Sequence, residues 1–461
     1  MSRVEHLSPD PKSHVKTLMR IGYNMSSAVA DILDNSIAAE SNRIEIYSPP
    51  GLEEPLISIL DDGYGMDADE LIENMRIGCK DPSDEREKGD LGRFGSGMKT
   101  ASFSQARRLT VISKKSDGPV VAAIWDIDKI EETNSWKLEI LNEHEISLIP
   151  AIKIGAASKQ GTQIIWENLT CLQEGSHARD KDTELAALLS DLDLYIALHF
   201  HRFMERKDKC IFYLNNHQID PIDPFMAKSD GYQEGPSERL RCKGGYIIIQ
   251  THVLPHFNRM NKQDMERLGG ANGITQNQGL YIYRANRLIN AGGWLGLAKN
   301  SQLGALARVQ IDVPTSIDHE WSTDVKKSSL QLPQRVKKGL KKFLSDPIKR
   351  SKKTHYYRGK SDTANSFWKI CEDENEGTIT YQIDPENKSL IKLLSSRGKE
   401  IRSGFLQYLT ELSINLPINH IYQKMSESPK DINQESIDLE RIDALLSIAM
   451  EGYVEIKKDI E

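Results

Sequence analysis

Asp31-Ile-Leu-Asp34-Asn35, Asp61-Asp62-Gly63-Tyr64-Gly65 and Gly92-Arg-Phe-Gly95-Ser96-Gly97-Met98-Lys99 follow one another in that order in the first part of the chain. Each alone is weak, because Asp-x-Gly-x-Gly and Gly-x-Gly recur by chance in many turns. Three in order, each in a fitting local context, predict a split pocket for a nucleotide. Around the first motif Met25, Val29, Ile32, Leu33 and Ile37 recur at helical spacing, which puts Asp31 and Asn35 one turn apart on a shared face. The amide oxygen of Asn35 is a hard ligand suited to Mg²⁺, an ion that takes its other ligands from water and phosphates. The Asp31 carboxylate beside it is of the kind that orients and deprotonates a water. A helix surface carrying two polar residues is the competing reading of this motif.

Residues 56–60, Leu-Ile-Ser-Ile-Leu, predict a buried strand ending at Asp61, where Gly63 and Gly65 allow a tight turn into Met66. An ionised Asp only accepts hydrogen bonds, so the exocyclic amine of adenine is a suitable partner for Asp61. An ordinary Asp-Gly turn after a strand reads equally well. Residues 76–97 are polar and punctuated by glycine, and then give way to a helix of small residues. That pattern predicts a mobile lid through Gly92, Gly95 and Ser96, ending at a helix N-terminus at Gly97 and Met98. Backbone N–H groups and the helix dipole favour phosphate there, and Lys99 adds a point charge. Neither the Walker A spacing nor the dinucleotide fingerprint is present. A strand starting at Gly161-Thr162 supplies a hydroxyl that would join the adenine network.

These four stretches resemble the motifs of the GHKL ATPases, and within that superfamily the MORC-type ATPases and their bacterial relatives. The resemblance spans about residues 15–335, because a second block is similar to the transducer domain of those proteins. That block comprises Gln278-Gly-Leu-Tyr-Ile-Tyr-Arg284-Ala-Asn-Arg287-Leu-Ile289, Gly292-Gly-Trp294, and Asp318-His-Glu-Trp321-Ser-Thr-Asp324-Val-Lys326-Lys327-Ser328. The resemblance implies an α/β fold: a Bergerat-type α/β sandwich binding ATP over residues 1–172 and an α/β transducer over 173–335. It also implies ATP as substrate, Mg²⁺ on Asn35, and a transducer lysine reaching the terminal phosphate. Lys327 is preferred for that role over Lys326, with an ordinary solvated Lys-Lys pair as the alternative. Asp31 stands where the superfamily usually has Glu, one methylene longer. A homodimeric clamp closed by ATP is implied as well, its client being DNA or a chromatin-like or antiviral defence complex.

The whole chain has 461 residues, 38% apolar and 28% charged, with a net charge of -7. Such a chain can bury a real core, and its length predicts about three domains. No apolar run approaches the roughly 20 residues of a membrane span, and Met-Ser-Arg-Val-Glu-His has no signal-peptide core, so cytoplasmic residence is the expectation. Cys79, Cys171, Cys210, Cys242 and Cys371 are scattered without Cys-x-x-Cys spacing, which predicts buried thiols rather than a disulfide framework or a zinc site. Residues 180–207 predict a helix leading into a strand at 210–214, and residues 254–277, rich in Gly, Asn and Gln, read as a long loop.

Residues 337–360 carry ten Lys or Arg and one acid, with Tyr356 and Tyr357 interleaved. Lys337, Lys338, Lys341 and Lys342 would neutralise DNA phosphates. The equal alternative is a solvated helix, since Val336, Leu340, Phe343 and Leu344 keep helical spacing. This basic helix or linker is assigned to 336–360, and a mainly helical C-terminal domain to 361–461. The leading functional expectation is an ATP- and Mg²⁺-dependent ATPase clamp; the rivals are an ATP-dependent chaperone or scaffold and a nucleotide sensor without turnover.

Overall fold

The computed structural model describes residues 9–78, 97–155, 158–172, 178–242, 245–269, 273–316, 322–323, 330–331, 334–356, 368–373, 378–384, 386–395 and 398–414. Gly92, Gly95, Ser96, Lys326 and Lys327 lie outside them. The chain divides into two compact units, Met1–His355 and Tyr356–Glu461.

The first unit opens with α1 (Pro11–Met19) and α2 (Met25–Ala38). Both starts are written locally: Asp10 accepts from the Ser13 amide and Asn24 from the Ser27 amide, satisfying donors that a first helical turn leaves open. Next come β1 (Arg43–Tyr47), β2 (Ile57–Asp61) and α3 (Ala68–Met75), the last opened by a reciprocal capping box between Asp67 and Glu70. α4 (Gly97–Gln105) runs directly into β3 (Ala106–Lys114), followed by β4 (Val120–Asp126), α5 (Ile127–Thr133), β5 (Glu139–Leu141), α6 (Glu143–Ser147) and β6 (Gly161–Leu169). α7 (Ala178–His199) and α8 (His201–Glu205) then lead to β7 (Ile211–Leu214) and β8 (His217–Gln218).

These strands make one sheet in the order β5-β4-β3-β6-β2-β1-β7-β8. Its pairs are antiparallel except that β7 runs parallel to β1. Val111 and Ile164 bury beneath the helical layer with Val15, Val29, Ile32 and Phe103. Their neighbours Ile112 and Ile165 bury on the opposite face with Ile146, Ile149 and Ile154. Both faces are covered, which is why these strands read as continuous apolar runs rather than alternating ones.

A second sheet holds β9 (Gln233–Cys242), β10 (Gly245–Val253), β11 (Gly279–Arg284), β12 (Arg287–Ala291) and β13 (Ala307–Val313), ordered β12-β11-β13-β10-β9. The stretch between β10 and β11, expected as a loop, instead contains a 3-10 turn at Phe257–Arg259, α9 (Lys262–Gly269) and α10 (Gly273–Gln276). Its sparse apolar residues explain the difference: Met260 and Ile274, with Met265 and Leu268, reach a separate core against Leu254 and Leu306. After a short pair of β14 (Ser322–Thr323) and β15 (Leu330–Gln331) comes α11 (Gln334–Tyr356). Val336, Leu340 and Leu344 of α11 pack on Ile247, Ile249, Leu280, Val309 and Ile311 of the second sheet. Lys338, Lys341 and Lys342 are exposed on its outer side and Lys337 is half-buried.

The opposite face of the second sheet is aromatic and polar. Phe225, Tyr281 and Tyr283 pack together, the Arg202 guanidinium lies 3.4 Å from the centre of the Tyr283 ring, and Arg202 pairs with Asp312. Two imidazoles sit at this level, His252 buried and His199 half-buried: His199 Nδ1–H donates to the Leu288 carbonyl at 2.6 Å, and His252 Nδ1 meets the Tyr232 hydroxyl at 2.6 Å.

The second unit contains a hairpin, β16 (Trp368–Asp373) and β17 (Thr378–Ile383), then α12 (Lys388–Ser395) and α13 (Lys399–Ile414), with α13 lying against β17. The hairpin adds to a region whose helical stripes are the part visible in sequence. No helix among the described residues is long and apolar enough to cross a membrane.

Burial pushes the pKa of both His199 and His252 down from 6.5 to about 4. Each is neutral in the folded chain, so its contribution to stability is complete above pH 6.5 and is lost as pH falls towards about 4. Thermal unfolding followed across that window should show a declining midpoint. The buried His252 should contribute on the order of 3 kcal/mol to the loss, and the half-buried His199 less. His199→Gln retains a donor for Leu288 and should flatten the decline; an unchanged slope would mean that His199 is not buried neutral.

Candidate nucleotide site

The site is built on Asp61, at the end of β2 and buried. Its Oδ2 accepts from the Ser36 hydroxyl of α2 at 2.8 Å. Its Oδ1 accepts from the Gly63 amide at 3.0 Å and the Thr162 amide of β6 at 3.2 Å. One carboxylate thus ties together the helix of the first motif, the turn of the second and the strand of the fourth. Burial pushes its pKa up from the ordinary value, and the Ser36, Gly63 and Thr162 donors pull against that shift. Two carboxylate oxygens offer about four lone-pair sites, so three internal donors leave room for one from a ligand.

The turn after Asp61 is shaped by a close approach. Gly65 has φ +67°, and a Cβ there would fall 2.0 Å from the Lys114 carbonyl oxygen, so no other residue fits without moving β3. Gly161 is equally confined, since a Cβ would stand 2.2 Å from the Asp61 carbonyl oxygen. Ser113 of β3 links the two sides: its hydroxyl accepts from the Met66 amide at 2.8 Å and meets the Thr162 hydroxyl at 2.8 Å.

Asp31 and Asn35 stand on the same helix as Ser36. Asp31 is buried, with 8% of its surface exposed, whereas Asn35, one turn on, is exposed. The Tyr23 hydroxyl donates to Asp31 Oδ2 at 3.0 Å, and Tyr23 is itself held by Gln105 Nε2 donating to its carbonyl at 3.1 Å. A Cβ built on Gly97, the first residue of α4, would stand 3.6 Å from Asp31 Oδ2. The start of α4 therefore lies beside the Asp31 carboxylate. From the second sheet, Arg287 pairs with Asp34, and its Nη1 lies 3.7 Å from Asp31 Oδ1. Met98 packs half-buried against the main core. Lys99 is buried and its Nζ donates to the Asn74 carbonyl at 2.7 Å.

Of the residues that the motifs mark, Asp31, Asn35, Asp61, Gly63, Gly65 and Thr162 are gathered by the fold around α2 and β2. The motifs do not mark Tyr23, Ser36, Gln105 and Ser113, which position them. Ser36 carries one available signal, its place directly after Asn35; Tyr23 and Ser113 carry none, because their partners are 8 and 49 residues away. Arg287 lies inside the transducer-like block, but nothing local marks it as reaching Asp34, 253 residues earlier.

Among the described residues no cluster of three or more His, Cys, Asp or Glu is placed to hold a metal ion. The donor set nonetheless fits Mg²⁺. That ion is usually bound through one or two protein ligands plus substrate phosphates and water, and Asn35 presents an exposed amide next to the site.

Residues 23–162 match the family of histidine kinase-, DNA gyrase B- and HSP90-like ATPases. ATPase morc-1 of Caenorhabditis elegans is 29% identical over 98 residues, covering 21% of this chain and 11% of that protein. ATPase MORC2B of Mus musculus and ATPase MORC2 of Homo sapiens are each 29% identical over 93 residues, covering 20% of this chain and 9% of theirs. The chain thus aligns with about a tenth of the length of these relatives.

Asp61→Asn turns one oxygen into an NH₂ facing donors from Ser36, Gly63 or Thr162. The variant should lose about 1–3 kcal/mol of stability through the resulting unpaired buried donors, and with it affinity for adenine nucleotides. Unfolding midpoints and nucleotide titrations check this; wild-type values for both would remove Asp61 from the centre of the site.

Proposed function

We propose, taking as premise that residues 23–162 form a GHKL-type ATPase domain with weak homology to MORC ATPases, that the chain hydrolyses ATP and uses nucleotide binding to close a dimeric clamp. The observation that carries the ATP reading is the Asp61 carboxylate, bonded at once to Ser36, Gly63 and Thr162 with acceptor capacity left for an adenine amine. Asp31 takes the role of the group that orients and activates the attacking water. Asn35 would hold Mg²⁺, which when bound shields the phosphate charge. Gly97 and Met98, at the start of α4, offer backbone N–H groups to phosphate, with Gly92, Gly95 and Ser96 before them. Lys99 would supply charge after breaking its tie to Asn74, and Lys327, or Lys326 beside it, would reach the terminal phosphate. The division at about residues 172, 335 and 360 belongs to this proposal.

The clamp's client is proposed to be DNA or a DNA-directed defence complex. What supports this is α11, whose apolar stripe is spent on the second sheet while Lys338, Lys341 and Lys342 remain outside. A chain acting only as nucleotide sensor would bind ATP equally well and never turn it over.

Asp31→Asn keeps the shape of the side chain and removes its basicity. It should bind ATP like wild type, accumulate as the ATP-bound dimer and lose about 10²- to 10⁴-fold in kcat. Steady-state hydrolysis and sedimentation with ATP check both halves. Unchanged turnover would place the base elsewhere, and a wild type without turnover would leave the sensor reading.

Replacing Lys337, Lys338, Lys341 and Lys342 by Gln should lower DNA affinity and flatten its dependence on salt, by about 0.9 in slope for each phosphate no longer neutralised. Titrations of duplex DNA at several salt concentrations check this. An unchanged slope would return α11 to a solvated helix covering the sheet.

A further inference from the structure

Arg287 is the first residue of β12 and follows a two-residue turn, Ala285 and Asn286, both at positive φ (47° and 69°). This mirror-image turn matches strand twist and drives a tight hairpin out of the second sheet. The hairpin is anchored where it meets α7: His199 at the helix end donates to the Leu288 carbonyl at 2.6 Å, and Arg287 Cζ lies 5.2 Å from the centre of the Phe200 ring. The guanidinium is buried, with 4% of the residue exposed, yet it reaches two carboxylates of α2. It pairs with Asp34, itself 2% exposed, and its Nη1 stands 3.7 Å from Asp31 Oδ1. Burial opposes the charge, but Asp34 first, then Tyr195 and Asp31, outweigh it and hold the guanidinium above its ordinary pKa.

Asp31 is therefore addressed from two sides. Tyr23, of the ATPase domain, donates to Oδ2 at 3.0 Å, and Arg287, of the second sheet, faces Oδ1. We propose that Arg287 is a positioning residue for hydrolysis, through which the β11–β12 hairpin sets the orientation of the Asp31 carboxylate. The inference rests on the reading of Asp31 as the water-activating group. Because one guanidinium nitrogen is shared between Asp34 and Asp31, a small displacement of the hairpin alters the hold on Asp31 while Asp34 keeps its partner. The second sheet then controls the rate of hydrolysis without touching the nucleotide. Lysine cannot substitute fully, since a point charge on a flexible stem is not held by a rigid guanidinium plane at the one position between the two carboxylates that Nη1 occupies.

Two variants separate positioning from a structural tie. Arg287→Lys retains the buried charge, and Arg287→Met/Asp34→Leu replaces the pair with apolar side chains, an exchange that often preserves stability. Both should keep the wild-type unfolding midpoint and a KM for ATP within about threefold, while kcat falls by about 10- to 100-fold, the scale of an ångström-level misplacement. Wild-type kcat in both variants overturns the inference, as does a parallel loss of ATP affinity and kcat. Asp31→Asn is measured alongside. If it hydrolyses ATP like wild type, or wild type shows no turnover, the reading of Asp31 falls and this inference with it. If it is inactive while both Arg287 variants remain fast, only the role of Arg287 is lost.

Discussion

A buried carboxylate is costly without hydrogen-bond donors, and the Asp61 side chain meets that requirement by drawing three separate segments together. Ser36, Gly63 and Thr162 each send a donor to it. The helix carrying Asp31 and Asn35, the glycine turn after β2 and the start of β6 are consequently held in one register. Gly65 and Gly161 border the same place, and a Cβ at either would collide with the backbone of a neighbouring strand. The result is a polar floor set into a sheet whose two faces are otherwise filled by Val111, Ile112, Ile164 and Ile165.

A second buried pairing joins the second sheet to α2, the helix that carries Asp31 and Asn35. Arg287 leaves the second sheet at the tip of a tight hairpin and meets Asp34 beside Asp31. Isolated, each of these charges would be costly in an apolar surrounding; together they are tolerated and become directional. The charge-assisted pairing is made by Asp34, the residue directly before the exposed Asn35.

α11 shows how one helix serves two surfaces. Its Val336, Leu340 and Leu344 stripe completes the buried face of the second sheet, and its lysines are left over on the other side. Packing accounts fully for the stripe. It does not account for a run of like charges in a chain of net charge -7, and this contrast motivates the DNA reading.

Much of the architecture is legible locally. The strands around Ile59, Val111 and Ile164 announce themselves by apolar runs, and α2 by its spacing. Acidic and glycine motifs mark Asp31, Asn35, Asp61 and Gly65, because backbone conformation and side-chain chemistry at those points are properties of a few consecutive residues. The strand at β7 is equally visible, but not its place beside β1, and the helices α9 and α10 are hidden in a stretch with too few apolar residues to show a period. Tertiary structure alone decided the partners: Tyr23 on Asp31, Ser113 between Met66 and Thr162, Arg287 on Asp34. Local pattern encodes which residues form a helix or a strand, whereas a hydrogen bond or ion pair across 253 residues depends on where the folded backbone brings two side chains, and no short stretch of sequence contains that.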